Sequence, residues 1–274
     1  WIADRLLGAQ RAVFWGAVRM RAGNVLLALQ VDVVAFYAGC LLIVLGVGLL
    51  KPNISAMVAQ LYPEGGARRD AGFTLFYLGI NVGALLGSLA TPWLAQEFGW
   101  RAGFAGAAVG MALGLWQFQA TRHHLGDAGR RTRPSDPHGL AADRRRWHIV
   151  WACAGAIVGL FVLIAAGVVP FGPLQVARRS VGVIVAITVG FFAYLLFLAG
   201  LDRVERRRVL VVLALFVAAA LFWAGYEQAG SSLNFFARDF VNAPFHFTLF
   251  QSVNPLFILL LAPLFAMLWP VLDR

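Results

Sequence analysis

The sequence predicts an all-α membrane protein, a polytopic bundle of helices that cross a bilayer. Of its 274 residues, 60% are hydrophobic and only 13% are charged, whereas soluble domains carry about 25% charged residues. Several apolar stretches approach the roughly 20 residues that a helix needs to cross the hydrocarbon core. A transmembrane β-barrel would need alternating strands of about 10 residues, and these stretches do not alternate. The composition therefore excludes a soluble domain and a barrel.

Eight apolar segments are predicted to form the helices. In chain order they cover approximately 12–29, 34–58, 73–94, 102–118, 148–169, 181–199, 209–236 and 247–269. Two of them place a glycine at every fourth position, which allows close helix packing in lipid. These glycines are Gly79, Gly83 and Gly87 in the third segment, and Gly106, Gly110 and Gly114 in the fourth.

Arginines are concentrated in alternate connections between the segments, which predicts the topology. The connections richest in arginine are 1–11, 60–70, 119–147 and 200–208, and they alternate with less basic connections. By the positive-inside rule these face the cytoplasm, so both ends of the chain do too. The net charge of +10 thus indicates orientation rather than nucleic-acid binding. The longest connection, 119–147, is polar and is predicted to be a basic cytoplasmic linker between two bundles.

The cysteines and histidines do not predict a metal site or a cofactor. Cys40 and Cys153 lie within apolar segments, far apart and without metal-type spacing. They are interpreted as unpaired buried thiols. The five histidines fall in connections or at segment ends, where solvated side chains are the ordinary interpretation.

Two opposite charges inside apolar segments predict the functional site. Lys51 is the only lysine of the chain, and Glu227 lies deep in the seventh segment. A charge at a helix centre costs about 3 kcal/mol on insertion scales, so such residues usually mark a pathway or a binding site. Pro52 is expected to loosen the turn beside Lys51 and to leave carbonyl groups available. Arg19 and Arg21 interrupt the first segment, and their role is left open.

Neutral polar and aromatic side chains accompany these charges. Tyr77 and Asn81 lie one helical turn apart, and Trp223 lies one turn before Glu227. One side of the seventh segment is predicted to carry Trp223, Glu227, Ser231 and Asn234. Asn254 precedes Pro255, which predicts a broken helix. The sequence leaves two interpretations open for each residue: the side chain lines a hydrated central cavity, or it forms a structural hydrogen bond between helices.

Five sequence motifs resemble those of the proton-dependent oligopeptide transporters (POT), a family of the major facilitator superfamily. In chain order they are DRLLGAQR, GVGLLKPNIS, DAGFTLFYLGINVGALLG, FWAGYEQAGSSLN and FQSVNPLFI. The first is similar to the family's loop between its second and third helices. Asp4, Arg5, Gly8 and Arg11 match that conformational motif, while Gln10 stands where an arginine is usual.

The resemblance implies the major facilitator fold and a division of the chain into four parts. Residues 1–118 would run from the end of helix two to helix six of the N-terminal bundle, and 119–147 would be the linker. Residues 148–199 would form an inserted helical hairpin, and 200–274 would begin the C-terminal bundle with helices seven and eight. It also implies that the first helix, with its Glu-x-x-Glu-Arg motif, lies outside this chain, which alone is not expected to transport.

The resemblance further implies proton-coupled symport of di- and tripeptides by a monomer in the cytoplasmic membrane. The proton would be the coupling ion, with no cofactor and no nucleic-acid partner. Lys51 would bind the peptide carboxylate and form a salt bridge with Glu227, which would couple protonation to peptide binding. The substrate-binding residues would be Lys51, Tyr77, Asn81, Trp223 and Asn254.

Other functions remain open at the level of sequence. A lone cavity lysine would also suit a facilitator-type carrier of nitrate or an organic anion. A non-transporting partial copy of a carrier is a further alternative. An integral membrane enzyme would need several acids, histidines or a nucleophile with its base at one depth. Glu227 is the only acid deep in an apolar segment, so the sequence predicts a protein that is not an enzyme.

Overall fold

The structure, a computed structural model, describes residues 2–63, 66–131, 137–169 and 172–272. These residues form nine α-helices and contain no strand, which confirms the all-α prediction. The helices are α1 (Ala9–Leu29), α2 (Val33–Leu61), α3 (Gly66–Phe98), α4 (Trp100–Thr121), α5 (Pro137–Ala165), α6 (Pro173–Ala193), α7 (Arg203–Tyr226), α8 (Ser232–Phe240) and α9 (Val253–Leu272). Shorter turns of other helical types are π-helical at Ala3–Leu7 and Tyr194–Leu198, and 3₁₀ at Arg122–Leu125, Glu227–Gly230 and Phe247–Ser252.

The chain divides into two compact units, each of which is described by itself. Unit 1 comprises Trp1–Cys153 and Ala243–Arg274, and it contains α1 to α4, the start of α5, and α9. Unit 2 comprises Ala154–Asn242 and contains the rest of α5 with α6 to α8. The division into two bundles with an inserted hairpin stays a prediction.

Seven helical stretches of the described residues are long and apolar enough to cross a membrane. Many large apolar side chains on them are exposed, such as Ile187 on α6 and Leu221 on α7. Soluble proteins rarely expose contiguous apolar patches larger than a few hundred Å². The chain is therefore a multi-pass helical membrane protein.

Helix α4 corresponds to the predicted segment 102–118 but is not among the seven apolar stretches. Its 22 residues would extend about 33 Å at 1.5 Å per residue, enough to cross the hydrocarbon core. Four glycines, two tryptophans and two glutamines lower its hydropathy. Its membrane crossing stays a prediction.

Helices α1 and α2 pack closely through glycines on both helices. A Cβ atom on Gly16 would lie 2.8 Å from the carbonyl oxygen of Gly46, and one on Gly23 would lie 2.6 Å from that of Gly39. Gly16 and Gly23 are two helical turns apart on α1, and Gly39 and Gly46 are two turns apart on α2. The two glycines of each helix therefore share one face. The missing side chains let the two backbones touch, which maximises van der Waals contact where lipid surrounds the helices.

The glycine faces predicted on α3 and α4 do not form this kind of contact in the part of the chain that the structure describes. A Cβ atom on Gly79, Gly83 or Gly87 would meet no atom within 4 Å. On α4, Gly106 approaches the side chain of Leu94, whereas Gly110 and Gly114 lie in open space. Apart from Gly106, the close packing predicted for these glycines is therefore not found among the described residues, because the position of the neighbouring helix decides which glycines are used.

Two helix boundaries explain how the connections are organised. Asp32 caps the start of α2 by accepting a hydrogen bond of 2.6 Å from the backbone N–H of Ala35. Asp202 and Glu205 form a reciprocal capping box at the start of α7. Helix α5 begins at Pro137, so the end of the predicted linker 119–147 is helical.

Cys40 and Cys153 are free thiols, and Cys153 is exposed rather than buried.

Candidate functional site

Lys51 lies near the middle of α2, on a face that no other helix of unit 1 covers. Val44, Gly48 and Ser55, which share this face, are exposed as Lys51 is. A Cβ atom on Gly48 would meet no atom within 4 Å. In the described part of unit 1, the Lys51 ammonium group has no hydrogen bond or ion pair. The opposite face of α2 carries the glycine contact with α1, which fixes the direction in which Lys51 points.

Pro52 does not break α2, contrary to the expected loosening of the turn. The helix continues without interruption from Val33 to Leu61. Asn53 donates a hydrogen bond of 2.6 Å from Nδ2 to the carbonyl oxygen of Leu49. This bond adds a side-chain donor in the turn that contains Pro52, whereas the carbonyl group that loses its backbone donor to the proline is that of Gly48. Lys51 is therefore presented by a continuous helix.

Helix α3 carries Tyr77 and Asn81 in different environments. Asn81 is only 6% exposed, and its Nδ2 donates to the carbonyl oxygen of Tyr77 at 2.9 Å. The ring of Tyr77 is about half exposed. The hydrogen bond occupies one amide proton of Asn81 and leaves its second proton and its oxygen for other partners. This arrangement agrees with both interpretations, a ligand contact and a structural bond between helices.

Asn254 lies at the start of α9, directly after the 3₁₀ turn Phe247–Ser252. Pro255 is the third residue of α9, where a missing N–H breaks no helical hydrogen bond. The predicted break is thus a helix start rather than an interruption within a helix. Helix α9 and the turn before it pack against α3, with a hydrogen bond of 3.4 Å from Gln96 to Thr248.

In unit 2, Glu227 stands where the seventh predicted segment breaks. Helix α7 ends at Tyr226, a 3₁₀ turn covers Glu227–Gly230, and α8 starts at Ser232. Trp223 is half exposed one turn before Glu227 and packs edge-on against Tyr226 at 5.2 Å. The single continuous face expected for residues 223 to 234 is therefore wrong beyond Glu227. Gly225, Gly230 and the two following serines have low helix propensity, which is consistent with the break but did not predict it.

Asn234 on α8 was not singled out as a site residue from the sequence. Its Oδ1 atom is buried and has no hydrogen-bond partner among the described residues. A buried acceptor without a donor is costly and calls for an explanation, such as water or a ligand. The sequence predicted Asn234 on the same side as Glu227, and the structure adds that its oxygen is buried.

The loop motif before α1 is built around Gly8. Asp4 and Arg5 lie in the π-helical turn Ala3–Leu7, and Arg11 lies exposed in the first turns of α1. Gly8 has φ of +79°, and a Cβ atom there would lie 2.8 Å from the carbonyl oxygen of Gly129. Both the backbone conformation and the close approach require glycine at this position.

Unit 1 thus holds Lys51, Tyr77, Asn81 and Asn254, with the two asparagines on packed helices α3 and α9. Unit 2 holds Trp223 and Glu227. The salt bridge between Lys51 and Glu227 stays a prediction. Long apolar helices that carry polar and charged side chains within them are typical of membrane carriers.

Comparison with known proteins identifies the family of the chain. A sequence model of the POT family matches residues 10–138 and 147–274. The chain is 38% identical over its whole length to the peptide transporter YePEPT of Yersinia enterocolitica, of which it covers 55%. It is 35% identical to a di-/tripeptide transporter of Lactococcus lactis, with 98% of the chain and 56% of the relative covered. The chain belongs to the POT family.

Solved structures agree with this assignment. A crystal structure of a mutant peptide transporter POT in complex with alafosfalin superposes with a TM-score of 0.82 at 37% identity, covering 100% of this chain and 56% of the other. A POT family transporter in complex with a thioalcohol conjugated peptide gives 0.83 at 33% identity, covering 100% and 58%. The helices therefore adopt part of the major facilitator fold. The chain spans about half the length of the relatives it matches, which are named as transporters rather than enzymes.

Proposed function

We propose that the protein carrying this chain is a proton-coupled symporter of di- and tripeptides in the cytoplasmic membrane. The observation that carries the proposal is the similarity to peptide transporters along the entire chain, at 38% identity. Lys51 supports it, because an exposed ammonium group on an otherwise apolar helix can accept a peptide carboxylate. A bundle that rocks around a midplane site would provide alternating access, by a monomer and without a cofactor.

The roles of the charged residues follow from simple electrostatics. Lys51 binds the substrate carboxylate and, in its absence, pairs with Glu227. Protonation of Glu227 removes the negative partner, so a peptide carboxylate can take its place. Breaking a pair of charges away from water is costly, and this cost links proton entry to peptide binding. The helix break at Glu227 supports the role, since broken helices commonly form ion and substrate sites in transporters.

The remaining site residues recognise what all short peptides share. Asn81 and Asn254 hydrogen-bond the peptide backbone and amino end, because an amide offers both donors and acceptors. Tyr77 and Trp223 present half-exposed aromatic surfaces that contact the peptide's side chains without demanding one shape. Such contacts permit a wide range of di- and tripeptides.

The test compares uptake of a labelled dipeptide by the intact protein in proteoliposomes with an inward proton gradient. We expect Lys51→Gln to lower gradient-driven uptake by about two orders of magnitude, because it removes the counter-charge of the carboxylate. We expect Glu227→Gln to flatten the pH dependence of peptide binding. Arg206→Gln, which removes an exposed charge at the start of α7, is the matched control and should leave both unchanged.

Four results would contradict the proposal. Wild-type uptake by Lys51→Gln at low peptide concentration would remove the role of the lysine. A wild-type pH profile of Glu227→Gln would remove the proton switch. Competition of dipeptide uptake by nitrate but not by a tripeptide would indicate an anion carrier. No uptake by the wild-type protein would favour a non-transporting copy.

A further inference from the structure

A polar cavity of about 600 Å³ lies in unit 1, between the N-terminal end of α1 and the C-terminal end of α4. The π-helical turn before α1 and the loop residues 129–131 complete its walls. Its lining contains none of the residues assigned above to peptide binding or proton coupling. The cavity therefore needs an explanation of its own.

The floor of the cavity is fixed by hydrogen bonds between distant parts of the chain. Gln10 donates from Nε2 to the carbonyl oxygen of Ala128 at 2.6 Å, and its backbone N–H donates to that of Gly129 at 3.1 Å. The N–H of Gly129 donates to Oε1 of Gln60 at 2.6 Å. These bonds hold the loop against α1 and α2, so the cavity is a built feature rather than a gap beside a loose connection.

Four arginines line the cavity, and two of them have carboxylate partners. Arg131 donates to both carboxylate oxygens of Asp143 at 2.7 Å, and Arg146 contacts the same carboxylate at 3.0 Å. Arg130 pairs with Asp127 at 3.3 Å, and both of these side chains are exposed. The Arg131 pair holds the wall in place, and the two carboxylates lower the positive charge that Arg130 and Arg131 offer to a ligand.

The other two arginines keep their charge available. In the described part of unit 1, Arg11 has no hydrogen bond or ion pair, and Arg122 contacts only Oε1 of Gln119 at 3.3 Å. The N-terminal end of α1 favours an anion and the C-terminal end of α4 opposes one, so the helix dipoles nearly cancel. The excess positive charge of the cavity thus comes from the two guanidinium groups.

The remaining wall is aromatic and lies at the depth of a membrane surface. Phe14 and Trp15 on α1 and Phe118 on α4 line the cavity beside the arginines, and Trp15 is half exposed. Tryptophan prefers the interface between headgroups and acyl chains. The arginine-rich connections place this end of both helices at the cytoplasmic surface. Basic pockets between helices on that side bind anionic lipid headgroups.

We propose that this cavity binds the phosphate group of an anionic phospholipid from the cytoplasmic leaflet. Arg11 and Arg122 donate charge-assisted hydrogen bonds to the phosphate oxygens. Phe14, Trp15 and Phe118 contact the glycerol and the first acyl carbons. Inorganic phosphate offers the same oxygens without an apolar part, so it binds more weakly. The inference does not depend on peptide transport.

The test measures binding to the purified intact protein by native mass spectrometry and by the shift in its melting temperature. The probes are dioctanoyl phosphatidylglycerol, dioctanoyl phosphatidylcholine and sodium phosphate at equal concentration. We expect one tightly bound phosphatidylglycerol and weaker binding of both other probes. Equal affinity for inorganic phosphate would show a free-anion site, and equal affinity for phosphatidylcholine would show that the charge is not recognised. Either result overturns the lipid assignment.

Paired variants separate this site from general surface charge. Arg11→Gln combined with Arg122→Gln should weaken phosphatidylglycerol binding about tenfold or more. Arg144→Gln combined with Arg145→Gln removes the same charge from exposed positions of α5 outside the cavity and should change binding less than twofold. Unchanged binding in the first pair, or equal loss in both, refutes the proposal. Should the first pair not purify as a single species, Arg122→Gln alone must still weaken binding.

Discussion

At the scale of single residues, the stability that an arginine–aspartate pair contributes depends on how far water reaches the two side chains. Arg131 and Asp143 form a two-bond pair in which each side chain is only 15% exposed. The adjacent Arg130 pairs with Asp127 at side-chain exposures of 62% and 96%. Exposed pairs add little stability because water and salt compete for both charges, whereas charge-assisted hydrogen bonds with restricted access of water are stronger.

This contrast gives a prediction for two neighbouring positions. Arg131→Gln should lower the melting temperature of the purified protein by several degrees, because it leaves Asp143 with Arg146 as its only guanidinium partner among the described residues and also removes a hydrogen bond to the carbonyl oxygen of Leu6. Arg130→Gln should change the melting temperature by less than about 1 °C. Thermal unfolding in detergent measures both. Equal effects would show that the burial of the Arg131 pair does not matter.

The sequence predicted several site residues but not their surroundings. The single lysine and the deep glutamate were recognisable because charges are rare in apolar segments. The near-complete burial of Asn81 and the unpaired oxygen of Asn234 depend on three-dimensional packing. No local pattern contains that information, so the structure was needed to find them.

At the scale of helices, backbone contact between α1 and α2 organises unit 1. Gly46 is the sharpest example, because a Cβ atom there would lie 2.5 Å from Cγ of Met20 and 2.7 Å from the carbonyl oxygen of Gly16. Gly48, two residues further along the same helix, faces open space. The two glycines are therefore a natural pair for comparison.

We expect Gly46→Ala to destabilise the protein by about 1–3 kcal/mol, because the added methyl group forces the helices apart. Gly48→Ala should be neutral or slightly stabilising, since alanine favours helix more than glycine. Denaturation in mixed micelles, followed by circular dichroism, measures both changes. A destabilised Gly48→Ala variant beside an unaffected Gly46→Ala variant would contradict the observed packing.

Helix positions were largely predictable, and helix interruptions were not. Hydropathy located all eight predicted segments, each of which overlaps a helix. Pro52 lies in an unbroken helix and Pro255 in a first turn, whereas the actual break at Glu227 contains no proline. Proline is a local signal whose effect depends on its position in the helix. The packing glycines were missed for a related reason, because spacing alone does not reveal the partner helix.

At the scale of the whole molecule, α4 tests the predicted topology. The connection before α4, near Glu97, is predicted to lie outside the cell. The connection after it, near His124, is predicted to lie in the cytoplasm. The hydropathy of α4 is lower than that of the seven apolar stretches, so its crossing depends on packing against α1 and α3. If α4 did not cross, both connections would lie on one side of the membrane.

Cysteine labelling of the intact protein in cells checks this arrangement, after Cys40 and Cys153 are replaced by serine. An impermeant maleimide should label Glu97→Cys and Asn242→Cys from outside. It should label His124→Cys and Arg206→Cys only after the cells are permeabilised. All four positions are exposed, so access depends on sidedness alone. Labelling of His124→Cys from outside would contradict the crossing of α4.

The attachment of the loop at Gly129 to α1 and α2 uses uncharged amide groups, Gln10 and Gln60. Related motifs usually carry an arginine in place of Gln10, whose contacts would weaken as ionic strength rises. Bonds between amides and carbonyl groups are almost indifferent to dissolved ions. Osmotic stress that raises the ionic strength of the cytosol would therefore weaken the binding of a lipid phosphate to Arg11 and Arg122. The loop at Gly129 would stay attached to α1 and α2.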